Sequence, residues 1–324
     1  MTIRAFQINE PGGTAEFAQV ELPPPNPGEV QLTVFSCGLN FADLLIQNGT
    51  YQDIPSPPFT LGMEMAGGVT AIGESVSCIK TGDRVAVYAG QGGLAEAANV
   101  PAERVVPLPD TMDFDQAAAF LIAYGTSHMA LHHRARLQPG ETLLVTGAAG
   151  GVGLTAVEIG KLMGATVIAH ARGAEKLAVA QAAGADHLVD DSEDLRERVL
   201  ALGGADVVYD AVGGAPFKAA FRACNPEGRL IAIGFASGEV PQIPANHLMV
   251  KNLTAIGFYI GGYHKFRADA VRESFETLFG WFKQGRLKPH ISHVLPLDQV
   301  RDGMELLRSR KSTGKVVIRV REEI

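Results

Sequence analysis

A glycine-rich stretch near the middle of the chain, Glu141–Gly164, constrains the fold more than any other. It begins with an apolar run containing β-branched residues, Thr142–Thr146, which is typical of a buried parallel strand. Glycines follow, and then the segment Leu154–Leu162 has apolar residues at helical spacing. A strand, a glycine turn and a helix in direct succession predict a βα unit of the kind that binds nucleotides.

The glycines of this turn have a chemical reason. Gly150 and Gly151 leave the N–H groups at the helix start open to a pyrophosphate, and Gly153 lets the helix lie close to the strand. Ala148 stands where the strict G-x-G-x-x-G pattern has its first glycine. A second apolar run, Thr166–His170, follows at the right distance for the next strand. We therefore predict a dinucleotide site, with an ordinary βα turn as the alternative.

Length, charge and cysteine content limit the kinds of partner. The 324 residues are enough for two domains with separate cores. A net charge of -7 without a basic cluster argues against nucleic acid or a membrane surface as partner, and favours a small-molecule ligand. Cys37, Cys78 and Cys224 form no C-x-x-C pair, so neither a disulfide framework nor a thiolate zinc site is expected. With no membrane span and no signal core, we expect a cytoplasmic protein.

The pattern of the chain changes twice. Residues 1–120 hold short strands separated by glycine and proline, which predicts a barrel-like β domain. Strands and helices alternate over residues 121–258, which predicts a doubly wound parallel sheet. Residues 259–324 contain helices and a last strand, Gly314–Val320, which we expect to return to the first domain. The nucleotide domain is then an insertion, and the cleft between the domains is the default ligand site.

One helical stretch, Asn40–Gly49, interrupts the β-rich part. Asn40 can be its N-cap, Asp43 the acid three residues later, and Gly49 its stop. Taken alone, capping is the simpler interpretation of Asn40 and Asp43, and a role in a site is the alternative.

The chain resembles the quinone oxidoreductase (zeta-crystallin) branch of the medium-chain dehydrogenase/reductase superfamily. The resemblance implies an α/β protein with a Rossmann doubly wound parallel sheet inserted in a GroES-like β-barrel catalytic domain, assembled as a homodimer. The matching strings run along almost the whole chain: Gly38–Asp43, Asn48–Tyr51, Leu61–Gly67, Gly82–Val85, Gly92–Glu96, Ala148–Gly153, Gly184–Asp186, Val208–Asp210 and Gly314–Val317.

The resemblance also bears on metal binding. Zinc-dependent alcohol dehydrogenases of the superfamily have a cysteine ligand at the position that looks like Asn40, and a histidine ligand in a string that is Gly62-Met63-Glu64 here. Zinc needs three or four Cys, His or carboxylate ligands together, and we predict no metal because the sequence offers no such cluster. Alcohol oxidation is then hard to support, whereas hydride reduction of a quinone or enone needs only hydrogen-bond donors for the developing oxygen.

The family uses the positions that match Asn40, Asp43 and Tyr51 to line the acceptor pocket. We expect Asn40 and Tyr51 to orient or hydrogen-bond the acceptor, Asp43 to shape the site, and water to supply the proton. The leading prediction is an NADPH-dependent quinone reductase. A reductase of enones, halo-acrylates or enoyl thioesters is the alternative among enzymes, and an NADPH-binding sensor or structural protein without significant turnover is the alternative outside them.

The residues after the second predicted strand favour NADPH. NAD enzymes place an acid there for the ribose 2′-hydroxyl, but the matching position looks like Ala171, and Arg172 and Lys176 supply positive charge for a 2′-phosphate. Solvated surface charges are the alternative, and Asp190 and Asp191 would repel a phosphate if close, which leaves use of NADH open. At the glycine turn, further cofactor-binding residues are expected to be Gly150, Gly151, Val152 and Gly153. Phe235 and Phe258 follow the last strands of the sheet, with core aromatics as the alternative. Thr126 matches a family position beside the nicotinamide, with a helix-start hydroxyl as the alternative, and Lys315 is expected from the family strings.

Overall fold

The computed structural model describes residues 1–10 and 12–322, and these form two compact units. Unit 1 consists of Met1–Ile122 together with the chain from Pro289 onward, and unit 2 is Ala123–Lys288. Unit 2 is thus inserted in the sequence of unit 1. The sequence patterns change at residues 120 and 258, whereas the second unit boundary in the structure follows Lys288.

The regular elements follow the alternation of the sequence. The strands are β1 (Thr2–Ile8), β2 (Glu16–Glu21), β3 (Glu29–Leu39), β4 (Phe59–Thr60), β5 (Glu64–Ile72), β6 (Arg84–Tyr88), β7 (Ala97–Pro101), β8 (Val105–Pro107), β9 (Thr142–Thr146), β10 (Thr166–Ala171), β11 (His187–Asp190), β12 (Ala205–Asp210), β13 (Cys224–Ala232), β14 (Thr254–Gly257), β15 (Ile291–Pro296) and β16 (Lys315–Arg319). The α-helices are α1 (Phe41–Gln47), α2 (Phe114–Ala118), α3 (Leu121–His128), α4 (Gly151–Leu162), α5 (Ala174–Ala182), α6 (Leu195–Ala201), α7 (Gly214–Ala223), α8 (Ala245–Lys251), α9 (Ile260–Phe266), α10 (Ala268–Lys283) and α11 (Val300–Arg308).

Unit 1 contains two sheets. One has three strands in the order β2-β1-β4, and the other has seven, in the order β15-β16-β3-β5-β6-β8 with β7 also paired to β3. The buried residues of β3, which include Val30, Leu32 and Val34, alternate with half-buried ones and belong to one hydrophobic cluster of the unit. Strand β16 pairs antiparallel with β3, so the last strand returns to the first part of the chain as predicted.

Unit 2 is organised around six parallel strands in the order β11-β10-β9-β12-β13-β14. The strand order reverses between β9 and β12, where ligands bind in open α/β sheets. All but the first residue of β9 are fully buried, as expected for a central parallel strand. The doubly wound sheet predicted from the sequence is confirmed by this topology.

Helix α10 explains why residues 259–288 group with unit 2. Its apolar face, which includes Val271 and Phe275, is buried. The Phe275 ring packs so closely on Gly125 that a Cβ there would lie 2.8 Å from Phe275 Cε1. On the same helix, Ser274 Oγ lies 2.7 Å from His128 Nδ1. The hydrophobic face of α10 therefore packs against the rest of unit 2.

Two helices have irregular neighbouring turns. A 3₁₀ turn, Leu297–Gln299, leads into α11, and the chain beyond α3 continues as a π-helix, Met129–Arg134. Over residues 1–10 and 12–322, no helix combines the length and apolar character that a membrane crossing requires.

Candidate active site

A buried charge cluster lies at the end of three neighbouring strands of unit 1. The ammonium of Lys315 donates hydrogen bonds to the Leu39 carbonyl (2.9 Å), Asn40 Oδ1 (2.7 Å) and Glu64 Oε1 (2.7 Å). Glu64 Oε2 accepts a further hydrogen bond from the Ile122 N–H (2.9 Å). Lys315 and Glu64 are both buried. The three acceptors match the three protons of the ammonium, so the predicted cofactor residue Lys315 is fully hydrogen-bonded within unit 1.

Strand register creates this cluster. Strands β16 and β5 flank β3, with Val316 opposite Leu39 and Glu64 opposite Gly38. A Cβ on Gly38 would lie 2.0 Å from the carbonyl oxygen of Ala118. Only glycine therefore allows α2 to pack against β3 beside the cluster.

Asn40 occupies the N-cap position of α1, as predicted, but its side chain is directed into the cluster. Nδ2 donates to Glu64 Oε1 (3.0 Å) and to the Gly38 carbonyl (3.2 Å), while Oδ1 accepts from Lys315. Both Nδ2 protons are thus engaged within the protein, and Oδ1 keeps one lone pair. Asn40 thus presents a fixed amide at the edge of a buried ion pair, while its N–H donates to Asp43 Oδ2 (2.8 Å) as in a capping box.

Asp43 joins α1 to the segment that leads into β5. Its fully buried carboxylate accepts hydrogen bonds from the N–H groups of Asn40 (2.8 Å) and Met63 (3.2 Å). Burial raises the pKa of Asp43 to about 6, with Glu64 also raising it and the two N–H groups and Lys315 opposing the rise. The carboxyl group can therefore exchange a proton close to neutral pH.

Tyr51 lies on the turn that follows α1. Gly49 has φ of 70°, the left-handed conformation that ends a helix, and the N–H of Thr50 bonds back to the Leu45 carbonyl at 2.9 Å. Tyr51 follows directly and is half-buried. Of the residues predicted for the acceptor site, the structure brings Asn40 and Asp43 into direct contact and places Tyr51 after the same short helix.

The glycine turn of unit 2 has the form that a dinucleotide pyrophosphate requires. Gly147 carries the left-handed φ, 66°, so Ala148 does not need to be glycine. A Cβ on Gly153 would lie 2.1 Å from the Gly147 carbonyl oxygen, which makes glycine necessary for α4 to lie against the turn. Gly150 is the N-cap of α4 and has no capping side chain. Because first-turn N–H groups lack acceptors within a helix, they are available to an anion.

A network of buried hydroxyl groups contacts the carbonyls in the first turn of α4. Ser127 Oγ donates to the Val152 carbonyl (2.9 Å) and lies 2.8 Å from Thr155 Oγ1 and 3.0 Å from the Tyr209 hydroxyl. Thr155 Oγ1 is also 3.3 Å from the Gly151 carbonyl. All three hydroxyl-bearing residues are buried. The network therefore fixes the carbonyls in the first turn of α4. The N–H groups of the same turn point in the opposite direction, away from the network.

The two cations predicted to bind a 2′-phosphate follow β10. Arg172 is exposed, and its Nε lies 3.3 Å from Asp191 Oδ2. Gly173, with φ of 80°, is the N-cap of α5, and its N–H donates to Asp190 Oδ2 at 2.6 Å. Lys176 is half-buried in the first turn of α5. Asp190 and Asp191, the two acids expected to repel a phosphate, therefore contact the segment Arg172–Gly173.

The remaining predicted cofactor residues differ in exposure. Thr126 is buried in α3. Phe235 follows β13, is 39% exposed, and reaches Gly213 in the loop after β12. Phe258 follows β14 and is buried, with its ring centroid 5.4 Å from that of Tyr263. Phe258 is thus buried against Tyr263, whereas Phe235 is accessible at the carboxyl edge of the sheet, and a cofactor contact of either ring stays a prediction.

Comparison with known proteins gives two domain families and a set of similar full-length relatives. Residues 26–110 match the family described as alcohol dehydrogenase GroES-like domain, and residues 151–276 match the family described as zinc-binding dehydrogenase. The quinone oxidoreductase-like protein 2 homolog of Nematostella vectensis is 43% identical over 301 residues, which cover 91% of this chain and 82% of the relative. The chain belongs to the quinone oxidoreductase branch of the medium-chain dehydrogenase/reductase superfamily.

Solved structures agree with this assignment. Quinone oxidoreductase of Escherichia coli, complexed with NADPH, has a TM-score of 0.91 and 29% identity, and the match covers 99% of this chain and 100% of that one. CurK enoyl reductase has a TM-score of 0.89 and 27% identity over 98% and 99% of the two chains. The predicted fold class, a Rossmann sheet inserted in a GroES-like domain, is confirmed, and the chain is an oxidoreductase of the medium-chain superfamily.

The described residues contain no group of three or more His, Cys, Asp or Glu side chains arranged to hold a metal ion. Asn40 and Met63, at the positions that resemble zinc-ligand positions of alcohol dehydrogenases, supply an amide and a thioether. In this medium-chain oxidoreductase, the amide at the first position is hydrogen-bonded to Lys315 and Glu64.

Sequence reasoning missed two features of the site. Glu64 belongs to a string of the family resemblance and is not predicted as a site residue, although a glutamate inside the apolar run Leu61–Gly67 signals a buried charge that needs a partner. The hydroxyl network of Ser127, Thr155 and Tyr209 gave no sequence signal, because its members come from three separate elements.

Proposed function

We propose that this protein is a zinc-independent, NADPH-dependent quinone oxidoreductase. The observation that carries the proposal is the buried ammonium of Lys315, held 2.7 Å from both Asn40 Oδ1 and Glu64 Oε1. At the position that resembles a zinc ligand there is therefore an amide, Asn40, held by a buried ion pair. The quinone oxidoreductase family and the neighbour complexed with NADPH support the same reaction.

The nucleotide residues fit NADPH chemically. Gly150 and Gly153 leave room for a pyrophosphate at the N-terminus of α4, because side chains there would fill the space or displace the turn. Arg172 and Lys176, at the start of α5, would hold the 2′-phosphate. When bound, the dihydronicotinamide supplies the hydride.

The residues of unit 1 then act on the acceptor. Asn40, whose amide is fixed by Lys315 and Glu64, orients the acceptor, and the phenol of Tyr51 donates a hydrogen bond to the oxygen on which negative charge develops. Lys315 acts through position, because the Glu64 carboxylate at 2.7 Å offsets the charge of its ammonium and the pair together fixes the Asn40 amide. Asp43 fixes the start of α1 and thus the position of Asn40. Water supplies the proton.

The test is turnover by the purified protein after chelator treatment and metal analysis. NADPH and NADH oxidation would be followed with an ortho-quinone, a para-quinone and an enone. We expect fast NADPH loss with a quinone, unchanged by the chelator, and a loss of about tenfold to a hundredfold in kcat for Tyr51→Phe. Activity that disappears with the chelator and returns with zinc would contradict the metal-free mechanism.

A second function is favoured by the likeness to CurK enoyl reductase. An enone or enoyl thioester takes hydride at carbon and develops charge on oxygen, as a quinone does. NADPH oxidation with the enone alone would establish this alternative. Tight NADPH binding without turnover on any acceptor would favour a sensor or structural role.

We also propose that the protein is a homodimer and is cytoplasmic. Strand β14 is the edge of the six-stranded sheet, and on the preceding α8 the side chains of Met249 and Val250 are 73% and 75% exposed. An edge strand beside exposed apolar side chains favours association with a second copy. The cysteines Cys37, Cys78 and Cys224 are free thiols, consistent with a reducing compartment. Light scattering coupled to size exclusion would give twice the chain mass for a dimer.

A further inference from the structure

The carboxylate of Asp191 lies between two basic side chains at the carboxyl edge of the unit 2 sheet. Its Oδ2 is 3.3 Å from Arg172 Nε, and its Oδ1 is 3.5 Å from His170 Nε2. The Arg172 side chain is 69% exposed and that of Asp191 is 37% exposed, whereas His170 is buried. The pair formed by Arg172 and Asp191 is therefore accessible to a ligand from solvent.

The backbone and a buried histidine keep Asp191 in this place. The Asp191 N–H donates to the Ala171 carbonyl at 3.0 Å, which ties the end of β11 to the end of β10. Nδ1 of His170 is buried without a hydrogen-bond partner among the described residues, so the neutral ring places its proton on Nε2, toward Asp191. The carboxylate is thus held on the side of Arg172.

The neighbouring acid has a different role. Asp190 accepts hydrogen bonds from the Gly173 N–H (2.6 Å) and from the N–H (3.0 Å) and hydroxyl (2.6 Å) of Ser192. These bonds shape the two loops that follow β10 and β11. Asp191, in contrast, contacts Arg172, which is exposed and is one of the two cations proposed to hold the 2′-phosphate.

We propose that Asp191 is a specificity-determining residue that narrows the preference for NADPH over NADH. The inference rests on the proposed function, because it requires the nicotinamide dinucleotide to bind at this edge of the sheet. A 2′-phosphate must compete with Asp191 for Arg172 and is repelled by the carboxylate. A ribose 2′-hydroxyl is neutral and can donate a hydrogen bond to the same carboxylate. One residue therefore weakens NADPH and assists NADH.

The test compares Asp191→Asn and Arg172→Ala with the wild type. Dissociation constants would be measured for adenosine 2′,5′-bisphosphate, AMP, NADPH and NADH by calorimetry, alongside kcat/KM for both dinucleotides with a fixed quinone. We expect Asp191→Asn to raise the NADPH-to-NADH ratio of kcat/KM about tenfold, and to tighten the bisphosphate but not AMP. Arg172→Ala should weaken the bisphosphate and NADPH while leaving NADH little changed.

Two controls keep the result interpretable. Glu197→Gln removes the same charge from an exposed position on α6, and it should leave the ratio unchanged. Asp191→Ser serves as a second variant if the asparagine variant is poorly folded by circular dichroism. An unchanged ratio in folded Asp191 variants that still bind both dinucleotides overturns the inference and leaves the proposed function standing. Failure of the wild type to bind either dinucleotide overturns both.

Discussion

The ammonium of Lys315 and the carboxylate of Glu64, 251 positions apart in sequence, lie 2.7 Å from each other in the interior of unit 1. The pair is completed by Asn40, which accepts from one partner and donates to the other. A buried ion pair is seldom a net source of stability, but it fixes the groups around it. We infer that this pair serves mainly to hold the amide of Asn40 in one orientation.

Replacing Lys315 by methionine should destabilise unit 1 by about 3–5 kcal/mol, because Glu64 then remains buried without its counter-ion. Urea unfolding followed by circular dichroism would measure the change. Lys311→Met, at an exposed position of the same C-terminal segment, is the matched control. The double variant Lys315→Met/Glu64→Met should be more stable than Lys315→Met alone, and a double variant that is less stable would contradict a charge-based explanation.

Alanine at two positions of the glycine turn should have opposite consequences. At Gly153 the new Cβ would lie 2.1 Å from a backbone carbonyl, so the variant should lose stability. At Gly150 the nearest heavy atom is 3.4 Å away, so the fold should tolerate the change while the methyl group obstructs the pyrophosphate. We expect a normal melting temperature and about tenfold weaker NADPH binding for Gly150→Ala. Gly280→Ala, in open space on α10, is the control, and unaltered NADPH affinity in Gly150→Ala would place the pyrophosphate elsewhere.

The raised pKa of Asp43 predicts a specific pH dependence of stability. Burial raises this pKa from 3.8 to about 6, so the folded protein binds more protons than the unfolded chain between these values. Stability should therefore fall as pH rises through this window, by about 3 kcal/mol for this residue. Asp43→Asn should remove this slope, whereas Asp302→Asn, at an exposed position, should keep it. Parallel pH profiles for Asp43→Asn and the wild type would show that Asp43 does not titrate there.

The lowered pKa of His128 predicts the opposite pH dependence of stability. Burial, assisted by the nearby His132, lowers the pKa of His128 from 6.5 to about 4, while the ring contacts Ser274 and the edge of Trp281. The folded protein then binds fewer protons than the unfolded chain, and stability is lost as pH falls from 6.5 to 4, by about 3 kcal/mol.

His128→Gln should flatten the loss of stability at acid pH, and fluorescence of Trp281, the single tryptophan, reports unfolding of unit 2 directly. His247→Gln changes an exposed ring and should leave the acid profile as it is. A profile for His128→Gln that still follows the wild type would show that another group controls acid unfolding.

The sequence by itself determined the features whose causes are local. The turn between β9 and α4 could be predicted because the residues that require glycine there are close in sequence. Gly153, for example, must be glycine because of the Gly147 carbonyl, six residues earlier. The alternation of strands and helices that builds the six-stranded sheet, and the place of Asn40 at a helix start, depend on equally short patterns.

Only the tertiary structure decided which side chains meet. The pairing of β16 with β3 places the ammonium of Lys315 beside Asn40 and Glu64, and a contact of Lys315 with the cofactor stays a prediction. The contact of Asp191 with Arg172 likewise depends on the parallel register of β10 and β11. Register between strands is set by the packing of whole faces, so no short pattern in the sequence encodes it. The type and order of the elements can therefore be predicted from the sequence. Which charged side chains meet at the candidate site is decided by the strand register of the folded protein.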